Sequence, residues 1–235
     1  MKINKIFAVV GLFITGFGTV AFSQDKAAVT SNYKGSIMTG YNRGFGLQTN
    51  VTINRLAKEF PFEIRFGIGY TRLDPGNAAE ARRIFINNAT NGVPEKKGRS
   101  FDYRLDILLP RPVFGISHSY IVFGPRFSSF RGNFKYVGGN EDFDVTSKQW
   151  GIGGSIENFF SMSQKLNLVI SYGLDSYFPG VLKGHDTSYS IGNDNVNPQN
   201  DNRNDDEPFT YRDADRAIRQ PVFMPHVMVG LSFNL

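Results

Sequence analysis

Hydrophobic and polar residues alternate with a period of two over residues 221–235. Phe223, Val227 and Phe233 share one parity, whereas His226 and Ser232 share the other. Side chains of a strand point alternately to its two faces, so this stretch predicts a strand with one apolar and one mostly polar face. Such a strand separates an apolar environment from a polar one.

Seven further segments carry the same alternation, and each is close to the 9–11 residues or so that a tilted strand needs to cross a bilayer. They are residues 33–41, 45–53, 62–72, 101–109, 118–130, 148–158 and 166–177. The connections alternate between short and long, apart from a tight hairpin at 42–44; the short ones are 54–61, 110–117 and 159–165, and the long ones are 73–100, 131–147 and 178–220.

This alternation of connections predicts a topology. If the N-terminal end lies in the periplasm, every short turn falls on the periplasmic side and every long loop outside the cell, as in bacterial outer-membrane barrels. The predicted fold is therefore all-β: an eight-stranded antiparallel up-and-down transmembrane β-barrel, formed by residues 33–235, with short periplasmic turns and long extracellular loops.

The composition of the polar face indicates which side of each strand faces outwards. A soluble barrel would bury the apolar face and present Lys and Glu to water. The polar face instead holds many glycines, such as Gly67, Gly69, Gly151 and Gly153, and almost no lysine. Small residues suit the crowded interior of a narrow barrel, and aromatic residues gather near the strand ends, as in interfacial girdles. We therefore expect the apolar face to contact lipid.

The N-terminal segment is typical of an export signal. Lys2 and Lys5 precede a mostly apolar stretch at residues 6–22, and small residues at positions 21 and 23 suit signal peptidase. A membrane anchor is the alternative, but the stretch is interrupted and shorter than the roughly 20 residues of a spanning helix. We predict a cleaved signal peptide at 1–23, a short periplasmic tail at 24–32 and export to the cell outer membrane.

Cysteine content and net charge exclude several functions. The chain has no cysteine, which excludes disulfides, thiolate metal sites and cysteine nucleophiles. The net charge of +5 is mild and its Lys and Arg residues are scattered, so no nucleic-acid partner is predicted.

Neither a metal nor a cofactor is predicted. The Asn- and Asp-rich segment 193–208 offers oxygen ligands to calcium, but its spacing fits no calcium loop of required geometry, and a solvated loop is the other interpretation.

Charged residues recur at inward-facing positions of the predicted strands. They are Glu63, Arg65, Asp102, Arg104, Asp106, Arg126, Glu157 and Asp175, together with His226. An eight-stranded barrel is just wide enough for side chains to fill it, and buried charges must pair. We predict a salt-bridge network that plugs the lumen, with a narrow ion or proton path as the alternative.

The export signal, the eight strands, the filled lumen and the ending Phe233-Asn234-Leu235 together resemble the small OmpA/OmpX-like outer-membrane β-barrel superfamily. The resemblance is architectural and covers nearly all of residues 24–235. It implies that Phe233 and Leu235 belong to the signal that the barrel-assembly machinery recognises, although the aromatic residue is third from the end and not last. We expect a non-enzymatic protein with a structural role, or a surface-interaction role through its extracellular loops.

The first long connection carries a predicted helix and a basic group. Asn77 followed by Glu80 predicts a capped helix start. A short surface helix resting on the rim is one interpretation. The other is that nearby basic residues contact lipopolysaccharide phosphates, as cations do near anionic headgroups; they are Arg82, Arg83, Lys96, Lys97 and Arg99. The predicted partners are outer-membrane lipid, lipopolysaccharide and an unidentified surface or envelope protein.

A lipid A-modifying enzyme is the main alternative function, because some barrels of this kind use His and Ser at the outer rim. His118 and Ser119 are adjacent on a strand and so face opposite ways. His185, Asp186 and Ser188 share one loop that nothing in the sequence orders. We predict no enzyme. A narrow channel, a small-ligand barrel and an accessory of a secretion or uptake system are further alternatives.

Overall fold

The computed structural model describes residues 33–54, 61–86, 91–185, 187–192 and 209–235, so the predicted signal peptide and tail lie outside the described residues. The elements in these ranges are β1 (Tyr33–Asn42), β2 (Phe45–Ile53), β3 (Glu63–Leu73), α1 (Ala78–Phe85), β4 (Val93–Pro110), β5 (Ser119–Val137), β6 (Asp142–Ser161), β7 (Leu166–Tyr177), β8 (Leu182–Lys183), β9 (Ser188–Tyr189), α2 (Tyr211–Ala217) and β10 (Phe223–Asn234). Neither helix is long and apolar enough to cross a membrane.

Eight of these strands form a closed barrel. Strands β1 to β7 pair antiparallel with their sequence neighbours, and β10 lies between β7 and β1. Lys34 is opposite Asn234 at one end of the β1–β10 seam, and Asn42 is opposite His226 at the other. The predicted eight-stranded up-and-down barrel, closed by its first and last strands, is confirmed.

The apolar face of the strands lies on the outside of the barrel, as predicted. On β2, Phe45 is 61% exposed, whereas the neighbouring inward residues Gln48, Asn50 and Thr52 are buried. Trp150 on β6 is 65% exposed. This arrangement is the reverse of a soluble barrel, in which the apolar side chains fill the interior.

Residues 131–147, predicted as a loop, are mostly strand. β5 continues to Val137 and β6 begins at Asp142, and β4 already begins at Val93 inside another predicted loop. The prediction was wrong because the apolar parity reverses in this region: Phe134 and Val145 point inwards and are fully buried. A pattern of outward apolar residues therefore does not reveal these parts of the strands, although apolar and polar residues still alternate along them.

The interior of this extended wall is covered by a cap, which we define as α1, α2, β8 and β9. Asn77 caps α1, accepting backbone hydrogen bonds from Ala79 and Glu80, so the predicted helix start is confirmed. The cap and the wall enclose one apolar cluster, whose members are Leu73, Ala78, Ala81, Ile84, Phe85, Phe130, Phe134, Tyr136, Phe143, Val145, Tyr177, Leu182, Tyr189, Phe209, Ala214, Ala217, Ile218 and Met224. The long-loop end of the barrel is thus closed by an apolar core.

Two prolines within strands lie where pairing is interrupted. The ladder between β4 and β5 stops at Arg126 and resumes at Phe123, which leaves Pro125 outside it. Pro225 lies one residue beyond His226, the last residue of β10 that pairs with β1. Proline has no N–H to donate, so both positions are compatible with a closed barrel.

Candidate functional site

An ionic cluster occupies the middle of the barrel bore. Arg126 on β5 is fully buried, and it lies 2.5 Å from Asp106 on β4 and 2.9 Å from Asp175 on β7. Arg104 on β4 lies 3.0 Å from the same Asp175 carboxylate and contacts Gln48 on β2. Four strands are therefore linked through charged groups across the bore.

Glycine leaves the space that this cluster occupies. Gly153 on β6 points into the bore, and a Cβ there would run into the Asp175 carboxylate and the Arg126 guanidinium. The space beside Gly67 on β3 is also occupied, because a Cβ there would meet the side chain of Asn50. The glycines that line the polar face thus permit large charged side chains to cross a narrow bore.

A second ionic group lies nearer the short-turn end of the bore. Arg65 on β3 is 2.6 Å from Glu157 on β6, and both are buried. Glu63 is 3.0 Å from Lys34 on β1 and accepts a hydrogen bond from Tyr120 at 3.3 Å. Sequence reasoning missed Lys34 and Tyr120, although the alternation along β1 places Lys34 opposite in parity to the outward side chains.

The remaining predicted bore residues border the cap. Asp102 accepts hydrogen bonds from Ser100 at 2.8 Å and from the Tyr177 hydroxyl at 3.3 Å. His226 on β10 has its Nδ1 atom 3.8 Å from Asp175. All nine predicted residues therefore lie inside the barrel, and eight of them are buried, with Glu63 partly exposed.

The five basic residues predicted to contact lipopolysaccharide do not form one cluster. Arg82 and Arg83 on α1 lie over the rings of Tyr136 and Phe209, at 5.9 and 5.1 Å from the ring centroids respectively. Lys96 is 2.7 Å from Asp74. Only Lys97 and Arg99 point outwards from the barrel wall, because inward and outward positions alternate along β4.

Two carboxyl groups near the long-loop end have lowered pKa values. A hydrogen bond from Arg131 lowers the pKa of Asp144 on the outer face of β6. Hydrogen bonds from the backbone and side chain of Thr210 lower the pKa of Asp213 in the first turn of α2. Thr210 and Asp213 form a capping box, so the predicted long connection 178–220 contains a helix-start signal.

The residues considered for catalysis are dispersed. Ser119 donates to Ile116 and Asn158 at the short-turn end of the barrel, whereas His185 lies in the connection between β8 and β9 at the other end. Asp186 lies outside the described residues, as does the calcium-ligand candidate segment 193–208.

A shallow cavity of about 420 Å³ at the rim is lined by Arg43, Arg219, Gln220, Asp215, Ile218, Val222 and Phe223.

Comparison with solved structures identifies the fold. A major outer membrane protein from Thermus thermophilus matches with a TM-score of 0.65 and 21% identity, over 86% of this chain and 98% of that one. Neisserial surface protein A (TM-score 0.37, 10% identity, 86% and 94% covered) and Acinetobacter baumannii CarO (TM-score 0.37, 9% identity, 88% and 98% covered) match less closely. No family model and no curated protein matches the chain.

The similarity concerns the fold. At 21% identity, the Thermus structure shares the architecture of this barrel and carries no information on ligands or partners. The resemblance to small eight-stranded outer-membrane barrels that the sequence indicated is confirmed at this level.

Proposed function

We propose that this chain is a non-enzymatic outer-membrane β-barrel, exported by a cleaved signal peptide, whose lumen is plugged and whose cap presents a surface for interaction outside the cell. The observation that carries the proposal is the reversal of polarity along the longest strands. On β4, outward side chains are apolar from Phe101 to Leu109 and charged from Arg99 back to Glu95. A strand that changes from a lipid-facing to a water-facing pattern passes through a membrane boundary.

The height of the apolar zone supports the proposal that the barrel lies in a bilayer. Phe101 and Leu109 are separated by eight residue steps, which is about 27 Å along a strand at ~3.4 Å per residue. A tilt of about 40° reduces this height to roughly 20 Å. Apolar bands of outer-membrane barrels are about 25 Å tall, which is close to this value.

The contents of the bore favour a plug over a channel. Arg126 and Asp106 have essentially no solvent exposure, which supports a bore filled by side chains at this level. The apolar cluster beneath the cap covers the same bore at the long-loop end. A steady ion current would require both barriers to rearrange. Because the bore is blocked in this proposal, the cap is the part of the molecule that is available to a partner outside the cell.

Planar-bilayer recording of the refolded full-length protein tests the plug. We expect no steady current above the background of protein-free bilayers, with insertion checked separately by heat-modifiable migration in gels. Large, steady conductance would contradict the plug and favour the channel. A barrel that fails to migrate as a folded species in lipid would instead contradict the membrane assignment.

The location and the interaction role require a second experiment. In a Gram-negative host, we expect the full-length precursor to lose residues 1–23, to fractionate with the outer membrane and to expose the cap to protease added to whole cells. Protection of the cap in intact cells, with cleavage only after lysis, would reverse the proposed orientation. Unchanged lipid A mass spectra with and without the protein are expected, and a modified lipid A would favour the enzyme.

A further inference from the structure

Three arginines form a row across the outer face of the barrel. Arg72 on β3 is directly opposite Arg99 on β4, and Arg99 is directly opposite Arg131 on β5. All three side chains are exposed. Directly paired residues have Cβ atoms about 4.5–5.5 Å apart, and like charges at such positions destabilise a sheet. We call these three residues the arginine row.

The arginine row lies immediately beyond an aromatic band. Two residues closer to the short-turn end, Tyr70 and Phe101 are paired, with ring centroids 5.2 Å apart. The next level contains Tyr103, Phe127 and Trp150, whose neighbouring rings lie 6.2 and 4.9 Å apart. Successive levels are separated by about 7 Å along a strand. The row therefore lies at the edge of the apolar surface, where the water-facing part of the wall begins.

Positive charge exceeds negative charge around the row. Asp144 contacts Arg131, and the charge of Arg99 also lowers the pKa of this carboxyl group. Among the described residues, no carboxylate forms an ion pair with Arg72. Lys148 adds to the excess one level closer to the short-turn end. Lys97, one level further out, lies 4.0 Å from Glu95 and adds no net charge. An anion that binds between these aligned cations reduces their mutual repulsion and so stabilises this part of the sheet.

We propose that the arginine row binds the phosphate of an anionic lipid in the outer leaflet, with the acyl chains against the aromatic band. This inference rests on the proposed function, because it requires the band to lie in a bilayer. Guanidinium groups bind phosphate oxygens in a bidentate manner, and neighbouring forks on adjacent strands hold one phosphate from two sides. A lipid fits better than a free phosphate because the apolar surface begins directly beside the row.

Lipid binding to the folded full-length protein in detergent micelles tests the site. The variant R72Q/R99Q/R131Q removes the row, and K183Q/R212Q/R216Q removes the same charge from exposed positions of the cap as a matched control. Diphosphorylated lipid A, its dephosphorylated form and inorganic phosphate are the three probes, and native mass spectrometry measures binding. Gel migration before and after heating confirms that each variant is folded.

We expect the row variant to bind diphosphorylated lipid A at least about tenfold more weakly than the wild type, because each lost contact is a charge-assisted hydrogen bond. The control should retain wild-type binding, and the dephosphorylated lipid should bind both variants equally. Equal loss in the control, or no loss in the row variant, would overturn the site. Saturation by micromolar inorganic phosphate would assign the row to a soluble anion instead. Each of these results leaves the membrane assignment intact, since that assignment depends on insertion into lipid.

Discussion

Tyr177 donates a hydrogen bond to Asp102 at 3.3 Å, and this bond joins the two buried regions of the barrel. The Tyr177 ring belongs to the apolar cluster beneath the cap, whereas Asp102 is buried in the polar bore. The carboxylate also accepts a hydrogen bond from Ser100 at 2.8 Å. Cap and bore therefore meet at a defined pair of side chains.

Replacing Tyr177 with Phe removes this bond and keeps the ring. We expect a loss of about 1–2 kcal/mol in the free energy of unfolding, because a buried carboxylate loses one of its donors. Urea titration of the protein in lipid vesicles, followed by gel migration, measures the change. Tyr41→Phe on the exposed outer face is the matched control and should differ little from the wild type. Equal stability of the two variants would mean that the bond does not couple the regions.

Removing Arg126 leaves two buried carboxylates without their shared cation. We expect Arg126→Met to lose roughly 3–5 kcal/mol in the free energy of unfolding, as breaking a buried ion pair does. Lys97→Met, at a side chain that is 68% exposed and 4.0 Å from Glu95, should change stability by less than about 1 kcal/mol. Combining Arg126→Met with Asp106→Leu should restore part of the loss, since one unpaired charge disappears. A double variant no more stable than the single one would contradict this explanation.

The gap in the β4–β5 ladder requires a residue without a side chain. A Cβ at Gly124 would overlap the carbonyl group of Leu105, whereas a Cβ at Gly154 would find its nearest neighbour, the Val122 carbonyl oxygen, at 3.6 Å. We expect Gly124→Ala to destabilise the barrel by about 1–3 kcal/mol through overpacking. Gly154→Ala should be close to neutral in the same urea titration. If both variants unfold at the same concentration of urea, the close approach is not a constraint.

The cap should loosen in acid. The pKa of Asp213 is lowered by its hydrogen bonds with Thr210, so the folded cap favours the ionised carboxylate. The stabilisation is complete above the unfolded pKa of about 3.9 and is lost as the pH falls through the lower folded value. The protection of the α2 amides against hydrogen exchange, measured relative to their intrinsic rates at each pH, should therefore fall below about pH 4. Asp213→Asn should exchange faster already at pH 7 and show a smaller further change in acid. Equal exchange in both proteins at pH 7 would contradict the role of this cap.

The last residues should be required for assembly. The Phe233 ring fills the space above Gly35, where a Cβ would meet it at 2.5 Å, and Leu235 donates its N–H to the Tyr33 carbonyl at 3.0 Å. We expect deletion of residues 233–235 to abolish membrane insertion in cells, measured by outer-membrane fractionation. Phe233→Ala should reduce insertion more than Phe223→Ala, which alters an exposed aromatic residue at the opposite end of the same strand. Normal insertion of the truncated chain would refute the assembly signal.

The sequence predicted the barrel because the period of two is strong wherever one face is apolar. It failed at residues 131–147, where Phe134 and Val145 carry the same period on the opposite face. The bore residues were predictable for the same reason, since Arg65, Asp102 and Arg126 interrupt apolar strands at inward parity. Which charge pairs with which depends on the shear of the closed barrel, and a single strand does not contain that information.

The cap was harder to predict because its elements are short. β8 and β9 contain two residues each, and the seven-residue helix α2 buries Ala214 and Ala217 in the apolar cluster beneath the cap. Helices of this length are marginal in isolation, so tertiary packing decides whether they form. The arginine row has the same origin: Arg72 and Arg131 are far apart in the chain, and only strand register places them on one line.

The pairing of β1 with β10 has a kinetic consequence. The first strand of the barrel finds its second neighbour only when the last strand is available, so the wall cannot be completed while the chain is still being delivered. Closing so long a loop carries a large entropic cost, and chains with many distant contacts fold slowly. Until then, the free edge of β1 exposes unpaired backbone groups that invite pairing with other chains. A chaperone or assembly factor that shields this edge would therefore determine the yield of the barrel more than its final stability does.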